Sequence, residues 1–167
     1  YPITIATNSF YCKKMILECL EESGGITSNL LFKLHDFGYR GVSSEETAGI
    51  GGMANLVNFW GTDTIRGIVY ADNFYNSGIC GFSVPDSEHS VACSFGKDFE
   101  AEYFLNMLKS YPTGIVSIVS DTYDVYNFIT TMSKEYRKKI LARKGTVVFR
   151  PDSGEPLEVN SRLIDVL

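Results

Sequence analysis

The feature that most constrains this chain is an alternation. Short apolar runs rich in β-branched residues are each followed by a longer stretch with helical periodicity, then by a turn marked with Gly or Pro. Residues 115–119 are the clearest run, of the kind found in strands covered on both faces. Residues 3–7, 30–37, 57–60, 79–84 and 146–149 read as further strands or extended segments. Helices are expected over 9–22, with Met15, Ile16, Cys19 and Leu20 on one face, and over 47–56 behind a Ser43/Glu46 capping box. Further helices are expected from 62 to 70, at 90–95, 99–110 and 121–132, and from 158 onward. Successive β-α units of this kind imply an α/β class with parallel strands and right-handed crossovers, open or rolled into a barrel.

In such folds functional groups gather beyond the carboxyl ends of the strands. Five main strands end in His35-Asp36-Phe37-Gly38-Tyr39-Arg40-Gly41, Gly61-Thr62-Asp63-Thr64, Ser83 through Ser90, Ser120 through Asp124, and Arg150-Pro151-Asp152-Ser153-Gly154. Capping of the next helix is the ordinary explanation for an Asp there, and it suits Asp63 and Asp121. It does not account for Arg40, Arg150 or His89. Arginine forks suit phosphate or carboxylate, and facing carboxylates suit hydroxyls or Mg2+. The rim therefore reads as an anion-binding enzyme site. His35, between Leu34 and Phe37, is assigned to packing. His89, should it approach Asp121, would serve as a base or phosphoryl acceptor. Phe37 is either core or a stacking face for a flat aromatic ligand.

Composition sets the outer limits. The 167 residues carry 15 Lys+Arg against 20 Asp+Glu, a net charge of -5, with 44% hydrophobic residues. That excludes a disordered chain, and it lacks the basic footprint of a nucleic-acid binder. No apolar run approaches the ~20 residues that span a bilayer. Cys12, Cys19, Cys80 and Cys93 show no metal-like spacing, and reduced thiols in a cytoplasmic protein are expected rather than a Cys80–Cys93 disulfide.

The five strand-end motifs, in this order and spacing, closely resemble the nicotinamide phosphoribosyltransferase family, and the resemblance extends to the opening Tyr1-Pro2-Ile3-Thr4-Ile5-Ala6-Thr7-Asn8. It implies a type II phosphoribosyltransferase fold, an irregular α/β barrel, and transfer of a phosphoribosyl group from phosphoribosyl pyrophosphate to nicotinamide. By the same resemblance Phe37 would stack on the pyridine ring, with Arg150 supporting ring and phosphate. Asp63 would accept from the carboxamide, Arg40 would contact the phosphate region, and Asp152 the ribose hydroxyls. Ser83 and Ser117 would line a tunnel near the amide. His89 would be the histidine phosphorylated by ATP, with Asp121 holding it or Mg2+. Nicotinate-using relatives resemble Gly-Thr-Ser-Asn where this chain has Gly61-Thr62-Asp63-Thr64, so Asp63 favours the neutral amide.

Family members are about three times longer than this chain, as expected of a barrel of ~250 residues with added domains. Five strands do not close an eight-stranded barrel, so residues 1–167 are expected to be the central part of the catalytic barrel domain of a homodimeric, cytoplasmic enzyme. The N-terminal region, the partner's aromatic residue and a glycine-rich phosphate-binding region would lie outside it, and the isolated piece is expected to be inactive. The alternatives are a short binding module that keeps half of the pocket, a nicotinate-using enzyme, or an unrelated phosphate-binding barrel.

Overall fold

A proline in the first turn, where no amide hydrogen is needed, opens helix α1 (Pro2–Glu22). The computed structural model describes residues 1–167 and separates into two units, Tyr1–Ser83 and Val84–Leu167.

In the first unit, residues 3–7 are not a strand but the first turns of α1. The helical period of 9–22 runs back through them to Pro2. Asn58 Nδ2 donates to Ser9 Oγ at 2.7 Å and to the Ala6 carbonyl at 2.9 Å, which ties the helix to a distant turn. Residues 30–37 also depart from expectation. Its first three residues end a 3-10 turn (Thr27–Phe32), and only β1 (His35–Asp36) is strand. A second 3-10 turn, Gly38–Gly41, follows.

Helix α2 (Glu45–Leu56) is capped by Ser44, whose Oγ accepts from the Thr47 amide at 3.0 Å, so the cap sits one residue beyond the expected Ser43 box. Glu45 and Glu46 then occupy the first turn, where the helix dipole favours negative charge. Residues 57 and 58 turn the chain, Trp60 bonds through its backbone to Leu31 and Phe82, and the strand is β2 (Gly61–Thr62), parallel to β1. Helix α3 (Ile65–Tyr75) therefore starts later than expected and packs on α2. Gly52 and Gly67 permit that packing: a Cβ on Gly67 would lie 2.8 Å from the Gly52 Cα. The expected strand 79–84 contributes a single parallel bridge, Phe82 to Gly61.

The second unit holds α4 (His89–Phe95), α5 (Glu100–Ser110), β3 (Val116–Val119), α6 (Val125–Glu135), α7 (Arg137–Leu141), β4 (Val147–Arg150) and α8 (Pro156–Ile164). Strand β3 pairs parallel with β4 from Val116↔Val147 to Val119↔Arg150 and is buried at every position. Its core partners include Tyr103, Phe104, Phe128, Ile129 and Met132, with Phe104 stacked on Phe149 at 5.8 Å. Each such aromatic contributes roughly 1.5–3 kcal/mol through burial. Helix α7 was not foreseen, because five residues carry no usable period. Helix α6 begins at Val125 with Asp124 as its cap, Oδ1 accepting from the Asn127 amide at 3.0 Å. Asp121 is thus not a cap.

Each unit is α/β with short parallel strands. All four cysteines are free thiols. No helix is long and apolar enough to cross a membrane.

Candidate functional site

In the first unit the groups collect at the ends of β1 and β2. Asp36 Oδ1 accepts from the Gly38 amide at 2.8 Å, a tight turn that leaves Phe37 at its apex. Phe37 is 43% exposed, which excludes a core role. Its ring lies 4.5 Å from that of His35. His35 Nε2 lies 3.4 Å from Asp63 Oδ1, and the same oxygen receives the Ser83 hydroxyl. The Asp63 amide donates to the Asp36 carbonyl at 2.9 Å, so backbone pairing positions this carboxylate. His35, expected merely to pack, is therefore part of the polar cluster. Asp63 does not cap α3, whose preceding residue Thr64 makes no side-chain cap bond. Arg40 sits in the turn just beyond Phe37. An adjacent cleft of about 290 Å³ is lined by Leu34, His35, Phe37, Gly52, Asn55 and Thr64 among others.

In the second unit the groups collect at the ends of β3 and β4. The Ser117 amide donates to the Pro85 carbonyl at 2.8 Å, and the Ser87 amide to the Ser117 carbonyl at 3.1 Å. These bonds lay Asp86 and Ser87 alongside β3. Ser117 itself is buried. Arg150, the last residue of β4, meets Asp86 through Nε at 3.1 Å, the Ser87 carbonyl through Nη2 at 2.8 Å, and Asp152 through Nη1 at 3.2 Å.

His89 opens α4 and faces Asp121, Nε2 to Oδ1 at 3.1 Å; its Nδ1 is 3.9 Å from Asp152. The other Asp121 oxygen accepts from the Asp152 amide at 3.0 Å and the Ser153 hydroxyl at 2.5 Å. The Asp121 side chain is only 4% exposed. Burial pushes its carboxyl upward, but the bonds from Ser153, the Asp152 amide and His89 outweigh that and hold it below the usual carboxylate range. An ionised Asp121 makes Nε2–H the donor and leaves the Nδ1 lone pair of a neutral imidazole unprotonated. Both Asp121 oxygens are committed to protein donors, and no group of three His, Cys, Asp or Glu is arranged to hold a metal.

Sequence reasoning missed Asp86, Ser87, Tyr103 and Ser153. Three of them lay inside motifs already singled out, but nothing in their order gave them roles. Tyr103 sits in α5 with a core period and carried no signal at all.

Short parallel strands with helices between them, one strand ending in an arginine held by carboxylates, define an α/β protein. A sequence model of the nicotinate phosphoribosyltransferase (NAPRTase) family matches residues 32–166, and the chain belongs to that family. It is similar to proteins named nicotinamide phosphoribosyltransferase. That of Xanthomonas campestris pv. campestris is 44% identical over 95% of this chain and 35% of the relative. The Acinetobacter baylyi protein is 38% identical over 93% of the chain and 32% of its own length. That of Mycoplasma pneumoniae is 33% identical over 84% and 29%. The chain thus spans about a third of the length of the curated relatives it matches.

Proposed function

We propose that this chain is part of an enzyme that joins nicotinamide to phosphoribosyl pyrophosphate, releasing pyrophosphate and forming nicotinamide mononucleotide for NAD synthesis. The observation that carries the choice of amide over acid is Asp63. Its carboxylate accepts the Ser83 hydroxyl and lies beside the His35 ring, in the same cluster as the exposed Phe37 ring. An ionised carboxylate there accepts an amide N–H and repels nicotinate. Mispairing of this kind in a partly desolvated pocket costs several kcal/mol.

The pyridine nitrogen carries its own lone pair and needs no general base. It attacks ribose C1 as the C1–O bond to pyrophosphate breaks, and the leaving oxygen takes the electron pair. Catalysis then rests on positioning and on stabilising the departing anion, the work proposed for Arg150 and Arg40. Asp152 would accept from the ribose hydroxyls, and Ser117 would belong to the amide end of the tunnel. Mg2+ in this reading arrives with the pyrophosphate-bearing substrate, as Mg2+ usually does, since the protein residues do not form a cage of their own.

His89 would serve ATP coupling. Its Nδ1 would attack the γ-phosphorus, forming the N–P bond as the bond to the β-phosphate oxygen breaks and ADP leaves, while Asp121 stabilises the ring through Nε2. The parallel strands would be part of an α/β barrel in a homodimer. The test uses the protein at the full length its gene encodes, assayed with both bases. Asp63→Ser is expected to lower the ratio of kcat/KM for nicotinamide over nicotinate by about tenfold or more. An unchanged ratio would refute the assignment.

A further inference from the structure

The two carboxylates on Arg150 are not equivalent. Asp152 is 51% exposed, so its contact with Nη1 is screened and open to exchange. Asp86 is 12% exposed and places both oxygens on Nε, at 3.1 and 3.2 Å. The next residue adds its carbonyl to Nη2 at 2.8 Å, so two consecutive residues grip one edge of the guanidinium. That grip is itself anchored. Ser87 Oγ accepts from the Val119 amide at 2.9 Å and meets the Tyr103 hydroxyl at 2.5 Å, deep in the core. A planar fork held along one edge cannot rotate about its terminal bonds, so its other end is aimed before any ligand arrives.

We infer that Asp86 is a positioning residue: it fixes the plane of Arg150 so that the Nη1 end is presented to a pyrophosphate or phosphoribosyl phosphate, with Asp152 the partner that yields. The inference rests on the proposed phosphoribosyl transfer for the identity of the substrate, but not for the anion itself.

Two substitutions separate position from charge. Asp86→Glu keeps the charge and moves the carboxylate outward by about 1.5 Å, one carbon–carbon bond. Asp86→Asn removes the charge and keeps an acceptor at the same place. Both are made in the full-length protein, with thermal melts confirming the fold, and inorganic pyrophosphate is titrated calorimetrically. Asp86→Glu is expected to weaken pyrophosphate binding, and to raise the KM for phosphoribosyl pyrophosphate, by about tenfold, because a misplaced group ~1 Å out of line forfeits most of its contact. The KM for the base should hardly change, and Asp86→Asn should bind pyrophosphate within about threefold of wild type, less than the 1.4 kcal/mol that marks a tenfold change. Glu binding like wild type, or Asn as weak as Glu, overturns the positioning role. Failure of the wild type to convert nicotinamide would refute the proposed reaction and leave the pyrophosphate titration as the judge of Asp86.

Discussion

Three hydrogen bonds in the second unit close on themselves, and their order can be worked out. Tyr103 has one proton and donates it to the Val119 carbonyl at 3.1 Å. The Val119 amide donates to Ser87 Oγ at 2.9 Å. Ser87 must therefore donate its own proton to the Tyr103 oxygen, 2.5 Å away. Tyr103 is 1% exposed and Ser87 3% exposed, so water cannot replace a missing member. Tyr103→Phe removes only the oxygen, leaving the ring packed against Phe95 and Phe128. Two of the three bonds vanish, and each buried group left unpaired costs roughly 1–3 kcal/mol. Partial relaxation of the Ser87 hydroxyl brings the expected loss to about 2–3 kcal/mol, the low end of the sum of two such penalties. At about 2–4 °C per kcal/mol for this size of chain, Tm should fall on the order of 5–10 °C.

The assay is thermal and urea unfolding of the 167-residue chain by circular dichroism, with the exposed Tyr75→Phe as control. A Tyr103→Phe loss no larger than that of the control would refute the closed ring. The same residue sets an alkaline signature. Burial pushes the Tyr103 hydroxyl up from 10.0 to about 12, only partly countered by the Ser87 bond and the Arg150 charge. The unfolded chain gives up this proton first, so above pH ~10 it binds fewer protons than the folded chain and stability falls as pH rises toward about 12. The phenylalanine variant should lack that part of the decline.

Two further outcomes follow from the packing and the site. Gly67→Ala drives a Cβ to within 2.8 Å of the Gly52 backbone, where α2 and α3 can only separate. A urea midpoint shift equivalent to about 2–3 kcal/mol is expected, as for overpacked cores, against a small change for Gly41→Ala, whose Cβ would meet open space. Asp121, held below the usual carboxylate range by its donors despite burial, contributes stability that is present above that range and lost as pH falls through its depressed value. Asp121→Asn should remove that acid-limb component from a pH series of unfolding midpoints, and an unchanged limb would count against the Ser153 and Asp152 bonds.

The helices were the legible part of the fold, because apolar period and capping act locally. Helix α5 and strand β3 stand almost where the pattern placed them, and β3 is buried on both faces as its β-branched run required. The strands of the first unit were not legible. An isolated apolar alternation such as 30–37 is equally satisfied by a 3-10 turn, and only pairing decides; here just His35 and Asp36 find a partner. Residues 3–7 illustrate the same competition, lost to a helix that Pro2 could start seven residues earlier.

The site was legible by position and illegible by role, and both facts have one cause. Whether Asp63 and Asp121 were caps or functional groups depended on where two helices begin. A boundary uncertain by a few residues spans both answers. The structure places the α6 start at Val125 and gives the cap to Asp124. It starts α3 at Ile65 with no side-chain cap. Both aspartates are thereby left in the strand-to-helix turn with their oxygens turned to other partners: Ser83 and His35 for Asp63, His89 and Ser153 for Asp121. A carboxylate that caps a helix serves one amide and is replaceable by serine or asparagine. One that receives two side chains from other segments is not, because its loss strands both. Replacement by serine should accordingly cost little at Asp124 and far more, in unfolding midpoint, at the buried Asp121, although both follow an apolar run in the same way.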